Sequence, residues 1–177
     1  MEAILQDMST LPPDHVAGIA EQWRRERPDL DLDPLLVVGR IEWIQARTDA
    51  ALRPLFADAG LGNGDFNTLT ALRRSGSPYA LSPGELATAM LVTTGAVTKR
   101  IDRLLAHGLV SRGPAASDGR GRIVALTERG RELVDRLMEQ HLANERRLLA
   151  GLTAGERHRL AELLHRLAVS LDDHAAQ

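Results

Sequence analysis

Apolar residues recur along this chain mostly at three- and four-residue steps, a periodicity that predicts a mainly helical protein. Val16, Ile19, Ala20 and Trp23 form the first such stripe, opened by Pro12-Pro13-Asp14 and preceded by eleven residues that read as a tail. Residues 24–34, punctuated by Pro28 and Pro34, read as a linker. A long helix over 34–59 follows, with Ile41, Ile44, Leu52, Leu55 and Phe56 among its apolar positions, and Gly60, Gly62 and Gly64 end it. The next stripe, Phe66, Leu69 and Leu72, stops near Ser75-Gly76. Ser82-Pro83-Gly84-Glu85 is a capping box with proline at the first helical position, and it opens a short helix reaching Met90. Another helix runs from Thr93 or Thr94 to Gly108. Residues 109–112 and 122–126 are strand-like, and the turn-rich 113–121 between them predicts a hairpin with a long loop. Thr127 then caps a helix carrying Leu133, Val134, Leu137, Met138, Leu142, Leu148 and Leu149. A second capping box, Thr153-Ala154-Gly155-Glu156, starts the last one, with Leu160, Leu163, Leu164, Leu167 and Leu171.

Short helix, turn, helix and hairpin in that order is the plan of a winged helix-turn-helix: a mainly α fold with a small β-hairpin wing. The chain then divides into a tail and extra helix (1–33), dimerisation helices (34–59 and 127–177) and a winged helix-turn-helix region (60–126). The long flanking helices carry more apolar stripe than one chain can cover, which predicts an intertwined homodimer.

Charge sharpens this picture. The chain is formally −2 overall. Yet 94–122 holds six basic residues (Lys99, Arg100, Arg103, Arg112, Arg120, Arg122) against Asp102 and Asp118, so this segment is +4 and the remainder −6. On a helical wheel Val97, Ile101, Leu104 and Leu105 cluster on one side, while Gly95, Ala96, Lys99, Asp102 and Arg103 project from the other. Such an outer face suits a DNA major groove. Thr94 and Thr98 flank small residues at Gly95 and Ala96, which allow close approach of the helix start and its amides to a phosphate, and Lys99 and Arg103 reach guanine edges or the backbone. The hairpin loop adds Asp118, Arg120 and Arg122. Arg120 suits a minor groove, and Asp118 serves to hold the loop or orient an arginine.

Other chemistries find little support. There are no cysteines, and His158 and His165, seven apart on one helix face, have no evident third ligand. No Walker loop, dinucleotide-binding glycine pattern or nucleophile elbow occurs, so neither an enzyme nor a cofactor is expected. No stretch approaches the roughly 18 apolar residues of a membrane span, and no signal peptide precedes the first helix. The expected location is the cytoplasm.

The motifs now resemble a known family. Leu81-Ser-Pro-Gly-Glu-Leu-Ala87, Val92-Thr-Thr-Gly-Ala-Val-Thr-Lys-Arg-Ile-Asp-Arg-Leu-Leu105, Gly108-Leu-Val110, Asp118-Gly-Arg120 and Leu126-Thr-Glu-Arg-Gly130 are similar, in that order, to the MarR family of bacterial transcriptional regulators. The resemblance spans roughly 34–171, with Gly119 where the family's wing usually carries an arginine. It implies a homodimer on double-stranded, pseudo-palindromic DNA, and a small organic or aromatic anion that binds between the lobes and releases the DNA. The extra helix with Trp23 resembles the arm of the urate-responsive subgroup. That likeness implies effector-binding roles for Trp23, Asn67, Arg100 and Arg112, although Asn67 stands where the subgroup has an acid, which argues against urate itself. The wheel places Arg100 on the flank of its helix, where pairing with Arg112 would make an anion-attracting corner. The expected function is a ligand-responsive repressor. The alternatives are a small-molecule-binding helical dimer and an activator without ligand-induced release.

Overall fold

Side-chain caps set most element boundaries in the computed structural model, which describes residues 14–114 and 122–175. Asp14 accepts the Ala17 N–H at 2.7 Å and starts α1 (His15–Glu26). Asp31 accepts the Asp33 N–H at the head of α2 (Asp33–Ala57). Asp65 reaches back to the Gly62 N–H at 3.0 Å, fastening the first turn of α3 (Asn63–Arg74). Ser82 and Glu85 complete their reciprocal box around α4 (Pro83–Met90), and Thr93 caps α5 (Thr94–Ala106). Thr127 and the Thr153–Glu156 pair open α6 (Glu128–Leu148) and α7 (Ala154–Ala175).

Three short antiparallel strands accompany these helices. β2 (Val110–Pro114) pairs with β3 (Arg122–Leu126) as the expected hairpin. A third strand, β1 (Ala80–Leu81), lies on the far side of β3, with Ala80 opposite Ala125 and Leu81 opposite Val124. The two-stranded wing expected from the sequence is therefore a three-stranded sheet. The linker is also shorter than expected, because α1 continues to Glu26 and α2 begins at Asp33.

The chain forms two compact units, one ending at Ala51 and one beginning at Leu52. In the first, Val16 and Ala20 of α1 are buried, Gly39 of α2 leaves room for Val16, and Arg40 pairs with Asp14 at 2.7 Å. In the second, Leu69 and Leu72 of α3, Leu86 of α4, Val97, Ile101 and Leu104 of α5, Val124 of β3 and Val134 of α6 share one core with Phe56 and Phe66. Burying these side chains fixes the roll of α5 and so decides which of its residues face outward. The last helix buries almost nothing: Leu160, Leu163, Leu164, Val169 and Leu171 are all exposed.

Candidate nucleic-acid interface

The helix α5 presents the outer face that its wheel predicts. Val97, Ile101 and Leu104 are fully buried, and Thr94, Gly95, Thr98 and Lys99 are exposed around them. Thr93 accepts the Ala96 N–H at 3.4 Å and Thr98 donates to the Thr94 carbonyl at 3.1 Å, so the hydroxyl groups at this end tighten the first turn. A Cβ added at Gly95 would meet nothing within 4 Å. The fold does not require that glycine. The surface in front of it is open, and the positive end of the helix points out through it. Lys99 makes no ion pair among the described residues, and Arg122 at the base of the wing is exposed. Asp118 and Arg120 lie outside the described residues.

Arg103 departs from the expectation. Its guanidinium does not stand free beside Lys99 but grips Asp65 of α3, with Nε donating to both carboxylate oxygens at 3.2 Å and Nη2 to Oδ1 at 2.7 Å. The carboxylate holds the Arg103 guanidinium above its usual range. A wheel gives the direction of a side chain, and Asp65, 38 residues upstream, supplies the buried partner that bends this one back.

Of the effector residues expected from the resemblance, the two arginines have different partners. Arg112 donates to Asp102 at 2.8 Å. Arg100 lies over Gly64, where a Cβ would sit 2.6 Å from its Nε, and its Nη1 is 3.9 Å from the Met90 sulfur. Each guanidinium thus has its own neighbours, Asp102 for Arg112 and Gly64 with Met90 for Arg100. Trp23, on α1, is 49% exposed and is not one of the buried residues of that helix.

Asn67 is better placed. It lines a cavity of about 360 Å³ between α3 and α6, together with Phe66, Thr70, Arg73, Met138 and His141. It also lines a smaller polar recess of about 230 Å³ toward Ala89 and Met90. The larger volume falls at the low end for small-molecule sites and fits a one- or two-ring ligand. Its aromatic wall is Phe66 and His141, whose rings lie 5.2 Å apart, and Phe66 is backed by Phe56, stacked on it at 4.5 Å between centroids. Arg73 is neutralised by Asp135 at 2.8 Å and sits over the Tyr79 ring, and Arg74 donates to the Ala89 carbonyl. Sequence reasoning missed His141 and Arg73 here. Each follows buried apolar residues on its own helix, Phe66 and Leu69 before Arg73 and Val134 and Leu137 before His141, and only the packing of α3 on α6 brings them together. Among the described residues, no group of three or more acidic, histidine or cysteine side chains could hold a metal, and no helix is long and apolar enough to cross a membrane.

Comparison with known proteins agrees with this architecture. The MarR family model matches residues 59–121. The HTH-type transcriptional regulator PecS of Dickeya dadantii is 38% identical over 152 residues, covering 86% of this chain and 92% of PecS. A MarR variant from E. coli solved in complex with operator DNA superposes with a TM-score of 0.66 at 28% identity, covering 77% of this chain and 96% of that one. Bordetella bronchiseptica BpsR, solved in work on the regulation of its DNA binding by 6-hydroxynicotinic acid, gives a TM-score of 0.67 at 26% identity over 75% of this chain and 92% of BpsR. With a three-stranded winged helix-turn-helix and a PecS likeness across most of its length, the chain belongs to the MarR family of DNA-binding transcriptional regulators.

Proposed function

We propose that this protein is a cytoplasmic, ligand-responsive repressor that binds a pseudo-palindromic operator as a homodimer and is released by a small organic anion. The observation that carries the reading is the outer face of α5, where Thr94, Gly95, Ala96, Thr98 and Lys99 surround an unobstructed helix start. Two such helices, one per subunit, would enter successive major grooves about one helical turn apart. Arg122, with Asp118 and Arg120 of the wing, would follow the backbone and the adjacent minor groove. The exposed leucines of α7, with Val37, Val38 and Ile44 of α2, support the assignment of 34–59 and 127–177 to dimerisation, because side chains of that size left in water cost about 1.5–3 kcal/mol each.

The cavity beside Asn67 is the place we assign to the effector. Its aromatic wall suits a planar ring, and Arg74 at its rim suits an anionic substituent. The extra helix α1 ahead of the core supports grouping the chain with the arm-bearing, urate-responsive members, in which Trp23, Arg100 and Arg112 would have effector roles. Effector and operator would favour different separations of the two recognition helices, so each weakens the other by linkage.

The test is a fluorescence-anisotropy titration against duplexes flanking the protein's own gene, repeated with a panel of aromatic acids. Tight binding that one of the acids reverses is expected. Operator binding that no acid alters would favour an activator or an unresponsive regulator. An acid that binds without any DNA binding at about 50 mM salt, where phosphate contacts are strongest, would favour a small-molecule-binding helical dimer.

A further inference from the structure

Two residues of α5 and its C-cap, all outside the core stripe, touch one short stretch of chain, the corner between α2 and α3. Arg100 lies over Gly64, which has room for it only because it lacks a Cβ. Arg103 makes its three hydrogen bonds to Asp65, itself 3% exposed and bonded to the Gly62 N–H. His107, the C-cap of α5, meets Gly60, where a Cβ would lie 3.2 Å from its ring and where φ is +71°. The spacing 100, 103, 107 is that of a single helical stripe. It runs from the recognition helix onto a corner that continues directly into the last turns of α2, where Leu52 and Phe56 are buried.

We infer that Arg103 is a positioning residue and not a DNA ligand: the Arg100–Arg103–His107 stripe buckles the recognition helix to the α2–α3 corner, with the buried Asp65 carboxylate as the catch. The inference rests on the reading of α5 as the DNA-facing helix. Electrostatics argue against a DNA role for this guanidinium. A phosphate approaching it meets a pair already neutralised, and drawing Arg103 away would leave a buried anion unpaired, a larger penalty than an exposed phosphate contact offsets. Geometry makes the pair directional, because Nε and Nη2 engage the carboxylate in a fork that fixes the guanidinium plane. The fork also ties the roll of α5 to the cap of α3, since Asp65 holds both. The neighbouring Arg100 and His107 then prevent the helix from pivoting about that single pair.

The experiment uses the full chain with an operator-bearing duplex, comparing Arg103→Met, Asp65→Asn and the double variant by anisotropy across a salt series, with Lys99→Ala as reference. A positioning role predicts that each single variant loses affinity by about tenfold, that the double variant loses no more than either, and that the salt slope stays at the wild-type value. A direct phosphate contact predicts the opposite pattern. Arg103→Met would lower the slope by about 1 per subunit, and Asp65→Asn, which frees the arginine, would leave binding unchanged or tighter. That pattern, or unchanged affinity in all three variants, overturns the inference. Should Asp65→Asn fail to fold, Arg103→Lys decides: a phosphate contact survives the exchange, whereas the forked catch does not, so lost affinity at a wild-type slope supports positioning and retained affinity refutes it. Failure of the wild-type protein to bind DNA at all would instead defeat the functional reading on which this rests.

Discussion

Gly95 would separate stability from DNA binding, because the fold leaves it free and the proposed interface would not. It is the second residue of α5, its φ lies outside the left-handed region, and a Cβ there meets nothing within 4 Å. Glycine in a helix costs about 0.5–1 kcal/mol relative to alanine, and the first turn sits at the low end. Gly95→Ala should therefore raise stability by about 0.5 kcal/mol, which is a melting shift of about 1–2 °C for a chain of this length. DNA affinity should move the other way. A leucine at the same position would stand between the open helix start and a phosphate, removing a charge-assisted hydrogen bond of about 1.5 kcal/mol in each of two half-sites. That is about 3 kcal/mol for a dimer, or roughly a hundredfold in dissociation constant, with alanine falling between. Circular-dichroism melting and operator anisotropy on the same preparations measure both quantities. Wild-type affinity in Gly95→Leu would refute the close approach of this helix to DNA, and a lower melting temperature in Gly95→Ala would refute the open geometry.

Gly130 should behave in the opposite way. A Cβ there would lie 2.0 Å from the Leu109 carbonyl oxygen, which accepts the Thr127 N–H at 3.1 Å, so Gly130→Ala should cost about 3 kcal/mol in urea unfolding. An unchanged midpoint would contradict that contact. The Ser82 N–H held at 2.7 Å keeps the Glu85 carboxylate below its ordinary 4.5. A lowered folded-state pKa contributes stability above the unfolded value and loses it as pH falls through the folded one. Wild type should thus be more stable than Glu85→Gln at neutral pH, with the gap closing as pH falls below the ordinary carboxylate range. A gap that persists in acid would show that the carboxylate charge is not what matters. Leu164→Glu, on the exposed stripe of α7, should turn a dimer into a monomer by light scattering and weaken operator binding, and a dimer of unchanged mass would place the interface elsewhere.

Legibility in the sequence followed the range of the interactions. Helix starts were readable because caps are local: Ser82 with Glu85, Thr127 and Thr153 with Glu156 all act within three residues of themselves. The roll of α5 was readable because Val97, Ile101 and Leu104 repeat with the helix period. Strand β1 was not, since two residues carry no periodicity and their pairing depends on Val124 and Ala125, more than forty residues away in the chain. A separation of 38 residues hid the fate of Arg103 in the same way. Its outward azimuth was correct to within a side chain's reach, but Asp65 lies in another helix, and only its place three residues after Gly62, an acid in a first turn, hinted at a fixed role. Arg112 reads as part of an anion corner for a related reason: Asp102, next to Arg103 on α5, counts in the sequence as outward charge and not as a partner. The turn between α4 and α5 was equally silent, with Leu91 at φ +53° and 93% exposed where a glycine would be expected.

The central claim is that a helix with an exposed lysine meets DNA phosphate or base edges at each of two half-sites. The salt dependence of operator binding in wild type and Lys99→Ala tests it most directly. Binding that weakens steeply with salt in the wild type, with a log–log slope smaller by about 2 in the variant, is the predicted result. An affinity insensitive to salt, or identical slopes and affinities in the two proteins, would contradict it.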